Sequence, residues 1–210
     1  MNSVKNDLTE GSIGRKLISF FLPIAAGTLF QQLYNAADAI VVGKFVGTIA
    51  LAAVGGSAAH ITNLLIGFFV ALSGGSTVVI AQLFGAKDEE SIQKATGTAI
   101  AFCIISGIVL TIVGFAFTPV FLRVLQSPPD TIAESTTYLR IVFLGVTAQL
   151  LYNMEAGMLQ AVGDSKSPFI YLFICCMFNI FLDLLLVAVF KMGVAGAAIA
   201  TIVSQILSAV

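Results

Sequence analysis

Charge is what this sequence has least of. Of its 210 residues only 10% are Asp, Glu, Lys or Arg, against 58% hydrophobic, and the mean hydropathy is +1.02. A soluble domain carries roughly 25% charged residues and about 45–50% apolar ones, because its water-facing skin has to be mostly polar. The chain is therefore expected to be an integral membrane protein. Its ten Lys and Arg are scattered and the net charge is −1, so there is no basic stripe for nucleic acid, which is excluded as a partner. Cysteine is also scarce. Cys103, Cys175 and Cys176 are an odd number inside apolar runs, with no CxxC or Cys/His spacing; neither a disulfide framework nor a zinc site is suggested, and they read as small apolar packing residues. The lone histidine, His60, has no partner at metal-ligand spacing and is expected at a membrane interface. With no nucleophile motif, nucleotide loop or haem signature, the sequence supports neither an enzyme nor a resident cofactor.

What is there is a series of apolar runs, each long enough to cross a ~30 Å hydrocarbon layer, which takes about 20 residues. They run from about Leu17 to Val42, Leu51 to Phe84, Ala95 to Thr118, Thr136 to Leu159, Pro168 to Phe190 and Gly193 to Val210. An all-α bundle of six transmembrane helices over residues 17–210 follows, behind a polar segment 1–16. That segment is mixed in charge, and the run after it exceeds the ~7–15 residues of a signal-peptide core, so it is read as the first span. The second run reads as one long helix that emerges from the bilayer; its rival is a break at Ser73-Gly74-Gly75-Ser76. Gly85 and Gly163 suit helix ends, and Ser167-Pro168 suits a capped start. With the N-terminus in the cytoplasm, Lys5, Arg15, Lys16, Lys87, Lys94 and Lys166 fall inside and Lys44, Arg123, Arg140 and Lys191 outside. This bias favours a multi-pass protein of the cytoplasmic membrane with its N-terminus inside. The last run stops at Ser208-Ala209-Val210 without a polar tail, as expected of a polypeptide cut short or of one half of a larger two-lobed protein.

Three acids fall within the runs, Asp38, Glu155 and Asp183. A charged group at the helix centre costs about 2.5–3.5 kcal/mol on insertion scales, so each is a functional-site hypothesis. Glu155 is near a connector and fits an interfacial position equally well. Gln31, Tyr34, Asn35 and Asp38 recur at spacings of three and four and make one stripe of the first helix; Asn179 and Asp183 share a face of the fifth. A polar stripe on a membrane helix has to face protein or water. At ~1.5 Å per residue Asp38 lies roughly 8 Å from the outer end of its helix, and Asp183 and Thr201 about 12 Å from theirs, so all three share one level. Two carboxylates at one depth are expected to titrate as a coupled unit and can carry a proton or hold a sodium ion. The alternative is that each acid only hydrogen-bonds a neighbouring helix, the reading that fits isolated Ser106, Thr111 and Thr147. Pro23 frees a carbonyl inside the first helix and is either a hinge or a fixed bend.

Several stretches then match a known pattern in order: Leu22-Pro23-Ile24, Gln31-Gln32-Leu33-Tyr34-Asn35, Asp38, Val42-Gly43 and Ala50-Leu51-Ala52-Ala53-Val54-Gly55, followed by Ala81-Gln82-Leu83-Phe84-Gly85-Ala86-Lys87, Gln160 through Pro168, and Asn179 with Asp183. Over nearly its whole length the chain resembles the N-terminal lobe of the multidrug and toxic compound extrusion (MATE) family, nearest its bacterial and archaeal branch related to the DNA-damage-inducible transporters. The resemblance implies a twelve-helix, two-lobe fold of which one lobe is present, and cation-coupled export of cationic amphipathic drugs by alternating access. It implies a coupling site for H⁺ or Na⁺ at Asp38, Asn179, Asp183 and Thr201, with Tyr138 beside them, and a substrate cavity at Gln31, Tyr34, Asn35 and Asn153. Pro23 matches the proline associated with bending of the first helix. The expected partners are small cationic drug-like compounds, membrane lipid, and a missing C-terminal lobe or a second copy. A lipid-linked oligosaccharide flippase of the same superfamily and a non-transporting structural half-subunit are the alternatives; the acidic and amide character of the stripes favours cationic cargo.

Overall fold

The computed structural model describes residues 13–209, and among these it contains helices and no strands. The helices form six rods: α1 (Ile13–Phe45), α2 (Thr48–Gly85), α3 (Glu89–Val124), α4 (Ile132–Ala161), α5 (Lys166–Val189) and α6 (Gly193–Ser208). Each is helical because a backbone in hydrocarbon has to satisfy its own N–H and C=O groups, and apolar along most of its length because charged side chains are costly there. The polar segment expected at 1–16 lies outside the described residues up to position 12, and Ile13 to Lys16 already belong to α1.

Four of the rods, α1, α2, α3 and α5, are long and apolar enough to cross a membrane by length and composition. The other two differ for physical reasons. Helix α4 carries Glu134, Arg140, Gln149, Asn153 and Glu155 but is packed by α2, α3 and α6, so lipid meets little of it. Helix α6 has 16 residues, rich in Gly and Ala, and fits closely against α4. The outer surface is apolar: Leu29, Ile40, Leu64, Phe68, Ile105, Ile112 and Phe181 all stand exposed. Contiguous exposed hydrophobic surface on this scale belongs in a lipid environment, and the chain is a multi-pass membrane protein.

Helix α4 is the axis of the bundle. On one side it packs with α2 and α3 around Ile66, Cys103, Leu110, Val146, Leu150 and Met154. On the other it meets α6, whose neighbours α5 and α1 complete the second half. Tyr138 of α4 packs against all three hydrophobic clusters of the core. The approach of α3 to α4 depends on small residues. A Cβ on Gly107 would fall 2.8 Å from the Thr147 backbone, and the Thr111 hydroxyl donates to the Phe143 carbonyl at 2.8 Å. Thr111 is thus an interhelical tie, as an isolated polar residue in a span was expected to be. Cys103, Cys175 and Cys176 are buried free thiols.

Several local expectations change. Helix α2 runs unbroken through Ser73-Gly74-Gly75-Ser76, where Ser73 is buried and its hydroxyl donates to the Val70 carbonyl. Its distortion comes earlier, in a wide turn at Val54–Ala58, where Gly56 leaves helical dihedrals. The carbonyls there find side-chain donors: Ser135 donates to Ala53 O at 3.1 Å, and His60 Nδ1 lies 2.8 Å from Gly56 O. A second wide turn, Leu184–Val189, follows Asp183 directly and ends α5. Gly85 closes α2, yet the left-handed position falls on Lys87, with φ of 57°. Gly163 does take the left-handed conformation expected of a helix end, with φ of 90°.

The start of α5 is capped differently from the Ser167-Pro168 expectation. Asp164 Oδ1 accepts from the amides of Lys166 and Ser167, each at 3.1 Å, and Ser167 donates its hydroxyl to Oδ2. A carboxylate reaches two orphan amides and also meets the positive end of the helix dipole, which a serine hydroxyl cannot match. Burial pushes the Asp164 carboxyl up, but the hydroxyl and amide of Ser167 and then the amide and charge of Lys166 outweigh it and hold the group below the usual carboxylate range. A depressed folded value means that the cap stabilises fully above the unfolded value, about pH 3.9, and is lost as pH falls through the folded one. Asp164→Ala should therefore cost about 1 kcal/mol at pH 7. Thermal unfolding in detergent would show the gap from wild type narrowing below about pH 4.

Candidate functional site

The polar residues of four helices converge beside α4. From α5, Asn179 and Asp183 both point inward with 0% exposure; they are one turn apart and so share a face. From α1, Asp38 faces Asp183 closely enough for one carboxyl to bond the other once a proton sits between them; as carboxylates the two only accept. One turn before Asp38, the Tyr34 hydroxyl donates to Thr201 Oγ1 of α6 at 3.3 Å, and Thr201 donates in turn to the Ala197 carbonyl. Tyr138 of α4 stands beside both carboxyls. The packing of α1, α5 and α6 above this level is tight: Val41, Val42, Val187, Val194 and Ala197 form one buried cluster.

This group is deficient in partners. Both Asp183 oxygens, both polar atoms of the Asn179 carboxamide and Asp38 Oδ1 are buried with no hydrogen-bond partner from the chain. Buried polar atoms are nearly always satisfied, and leaving one unsatisfied costs about 1–3 kcal/mol. Two carboxylates, a carboxamide oxygen and a hydroxyl form an all-oxygen donor set, which suits a proton shared between carboxyls or a hard cation rather than a soft metal. Among the described residues there is no group of three or more His, Cys, Asp and Glu with metal-site geometry.

From this cluster a cavity runs along the inside of α1. Its first part, about 60 Å³, is lined by Gln31 and Tyr34, by Gln149 and Asn153 of α4, and by Asn179 and Thr201. Its second part, about 140 Å³, shares Gln31 and Asn153 with the first and continues past Thr28 and Gly27 to Pro23 and Pro168. Among the described residues no Lys, Arg, Asp or Glu lines either part. Of the residues singled out by sequence, Gln31, Tyr34, Asn153, Asn179 and Thr201 line its first part and Pro23 its second, while Asp38, Asp183 and Tyr138 line neither and sit beside Asn179 and Tyr34.

Asn35 is placed differently. It is exposed, lines neither part of the cavity, and its Nδ2 donates to Gln32 Oε1 at 3.2 Å. The stripe read along α1 is thus two faces, one turned to α5 and α6 through Gln31, Tyr34 and Asp38, the other turned outward. Glu155 is half-buried and also lines neither part. Sequence reasoning missed Gln149, Ser204 and Gln205, which line the first part. The signal was available, since Gln149 lies four residues before Asn153 and Ser204 three after Thr201, spacings that place each pair on one face.

The fold and the site together define a helical membrane protein with a buried oxygen-rich cluster at the head of a polar intramembrane cavity. Comparison with known proteins narrows the class: residues 23–185 match the MatE family model, and the chain belongs to the MatE family. It is 34% identical over 202 residues to the probable multidrug resistance protein YoeA of Bacillus subtilis (strain 168), across 94% of this chain and 43% of that protein. It is 30% identical over 199 residues to YpnP of the same organism, another probable multidrug resistance protein, across 95% of this chain and 44% of that one. Among solved structures, a MOP superfamily transporter from Pyrococcus furiosus superposes with a TM-score of 0.85 at 27% identity, covering 92% of this chain and 43% of that one. The chain therefore spans under half the length of the relatives it matches.

Proposed function

We propose that this chain is the N-terminal lobe of a cation-coupled multidrug exporter, an antiporter that exchanges H⁺ or Na⁺ for cationic amphipathic compounds by alternating access. The observation that carries the reading is the set of orphaned buried oxygens where Asp38 faces Asp183 beside Asn179. A structural tie between helices would pair these groups off. A coupling site has to leave them available to an ion. A proton shared by the two carboxyls, or a sodium ion held by Asp38, Asn179, Asp183 and Thr201, removes one of the cluster's two negative charges; its release restores it. The cavity that runs from the cluster past Asn153 to Pro23 mixes amides and hydroxyls with apolar side chains such as Leu172 and Phe169 and has no basic group, which favours amphipathic cationic cargo over the anionic cargo of a lipid-linked oligosaccharide flippase.

Helix α1 is the element best placed to transmit the change. It carries Asp38 at one end of the cavity and Pro23, which has no N–H to lock the helix, at the other. Its outer side, with Leu22, Leu29, Leu33 and Ile40, is exposed. Alternating access of this kind requires a second lobe to rock against, in keeping with relatives twice as long. The test is ethidium efflux from vesicles holding this chain alone or together with a complementary C-terminal half, under an imposed H⁺ or Na⁺ gradient. Efflux is expected only with both halves and is expected to collapse with an ionophore for the coupling ion. Efflux indifferent to both gradients would overturn the reading.

A further inference from the structure

A cation without an acidic partner lies within the membrane-depth part of α4. Arg140 is eight residues from Ile132, which puts it about 12 Å in from that end of the helix. It follows Tyr138 by two residues, or about 200° around the helix, so the two side chains leave on nearly opposite faces. Tyr138 turns to the carboxylate pair. Arg140 turns to α3, where its guanidinium lies 5.1 Å from the centre of the Phe115 ring.

That contact is at the edge of the bundle. Phe115 is 42% exposed and Ile112, one turn away on α3, is 63% exposed, so in a membrane this face meets lipid. Arg140 itself is half-buried, and its Nε is buried with no hydrogen-bond partner from the chain. A ring face holds a guanidinium plane by its quadrupole but accepts no hydrogen bond along the guanidinium edge. Among the described residues no acid lies within ion-pair distance of it. Between Ser91 and Val124 helix α3 contains neither Asp nor Glu. On α4, Glu134 is six residues away, about 240° around the helix, and Glu155 is fifteen away, about 22 Å along it. Among the described residues the one ion pair is Lys94 with Glu90, at the other end of α3.

A fixed cation at this depth is costly unless its head is solvated, and a long stem lets arginine rise toward the headgroup layer while its methylenes stay in hydrocarbon. The acceptor it meets there is phosphate, whose oxygens match the guanidinium fork two at a time. We propose that Arg140, braced on Phe115, binds the headgroup phosphate of a bilayer phospholipid seated against the α3–α4 face. The site is separate from the carboxylate cluster, lies across α4 from it, and stands whether or not the coupling role of that cluster holds. Its effect is to fix the α3–α4 pair in the bilayer.

The experiment is a lipid titration of the delipidated chain in detergent, read by native mass spectrometry and by thermal unfolding. Phosphatidylglycerol should bind saturably and raise the unfolding temperature of the wild type. Arg140→Gln should weaken that binding about tenfold, the loss expected for hydrogen bonds to a charged group. Arg140→Lys, which keeps the charge without the fork, should lie between the two, and Phe115→Leu should weaken binding while leaving the charge in place. Diacylglycerol with the same acyl chains, and inorganic phosphate, should each leave the wild type unchanged. Undiminished phosphatidylglycerol binding by both Arg140→Gln and Phe115→Leu would overturn the proposal. So would equal stabilisation by diacylglycerol, which marks an acyl-chain groove, or by inorganic phosphate, which marks a free-anion site.

Discussion

Vesicles that carry the Asp183→Asn form of this chain with its complementary half should show gradient-driven ethidium efflux no greater than protein-free vesicles, and Asp38→Asn should do the same. The substitution keeps the shape of the side chain and removes only its ability to ionise. Asp183 is fully enclosed, and both of its oxygens lack partners from the chain, so the change disturbs little packing and the unfolding temperature in detergent should move by no more than a few degrees. That separation matters, because a carboxylate acting as structural glue would lose stability on neutralisation and keep transport. The two acids face each other, and on the proposed role as one coupling unit the double variant should be no worse than either single one. Glu155→Gln is the internal control. Glu155 lines neither part of the cavity and is not among the groups that face Asp38 or Asp183, and its replacement should leave efflux within about twofold of wild type. Full export by Asp183→Asn, or equal loss with Glu155→Gln, would remove the carboxylate pair from the mechanism.

The largest effect on folding is expected at Gly114. A Cβ on this glycine would clash with the ring of Phe143 across the α3–α4 contact, and Phe143 is itself 0% exposed, with no open space to move into. Overpacking a filled core costs about 1–3 kcal/mol and sometimes more. Gly114→Ala should sit at the upper end of that range, because the obstacle is a rigid aromatic rather than the tip of a flexible chain. Pairing it with Phe143→Leu should recover more than half of the loss, since the smaller side chain leaves room for the new methyl. Thermal unfolding of the two single variants and the double one in detergent gives the coupling directly. Additive losses would show that the two residues do not meet as described.

Much of this protein was legible in its sequence, and the reasons are physical. Charge is so expensive in hydrocarbon that the few intramembrane acids stood out at once. The helical period then put Asn179 with Asp183 and Tyr34 with Asp38, and residue counts from the helix ends placed Asp38, Asp183 and Thr201 at one depth. All of this needs only 1.5 Å and about 100° per residue. The same rules could not say which way α1 is turned. Tyr34 and Asn35 are adjacent and both polar; only the packing of α1 on α5 and α6 sends Tyr34 to Thr201 and leaves Asn35 outside with Gln32. Nor could they locate the wide turns at Val54–Ala58 and Leu184–Val189, whose local sequence is apolar and helix-compatible in the second case and which depend on side-chain donors such as Ser135 from another helix in the first.

By itself, then, the sequence determined that the chain lives in a membrane, where its apolar runs lie, and which polar residues share a face and a depth, because transfer free energy and helix geometry are local. Tertiary structure alone decided that α4 is the axis, that Asp38 meets Asp183, and that Arg140 looks across to Phe115 instead of an acid. Those outcomes rest on the rotation of each helix about its own axis. That rotation is fixed by the close contacts of small residues such as Gly107 and Gly114 with distant Thr147 and Phe143, and no single helix contains that information.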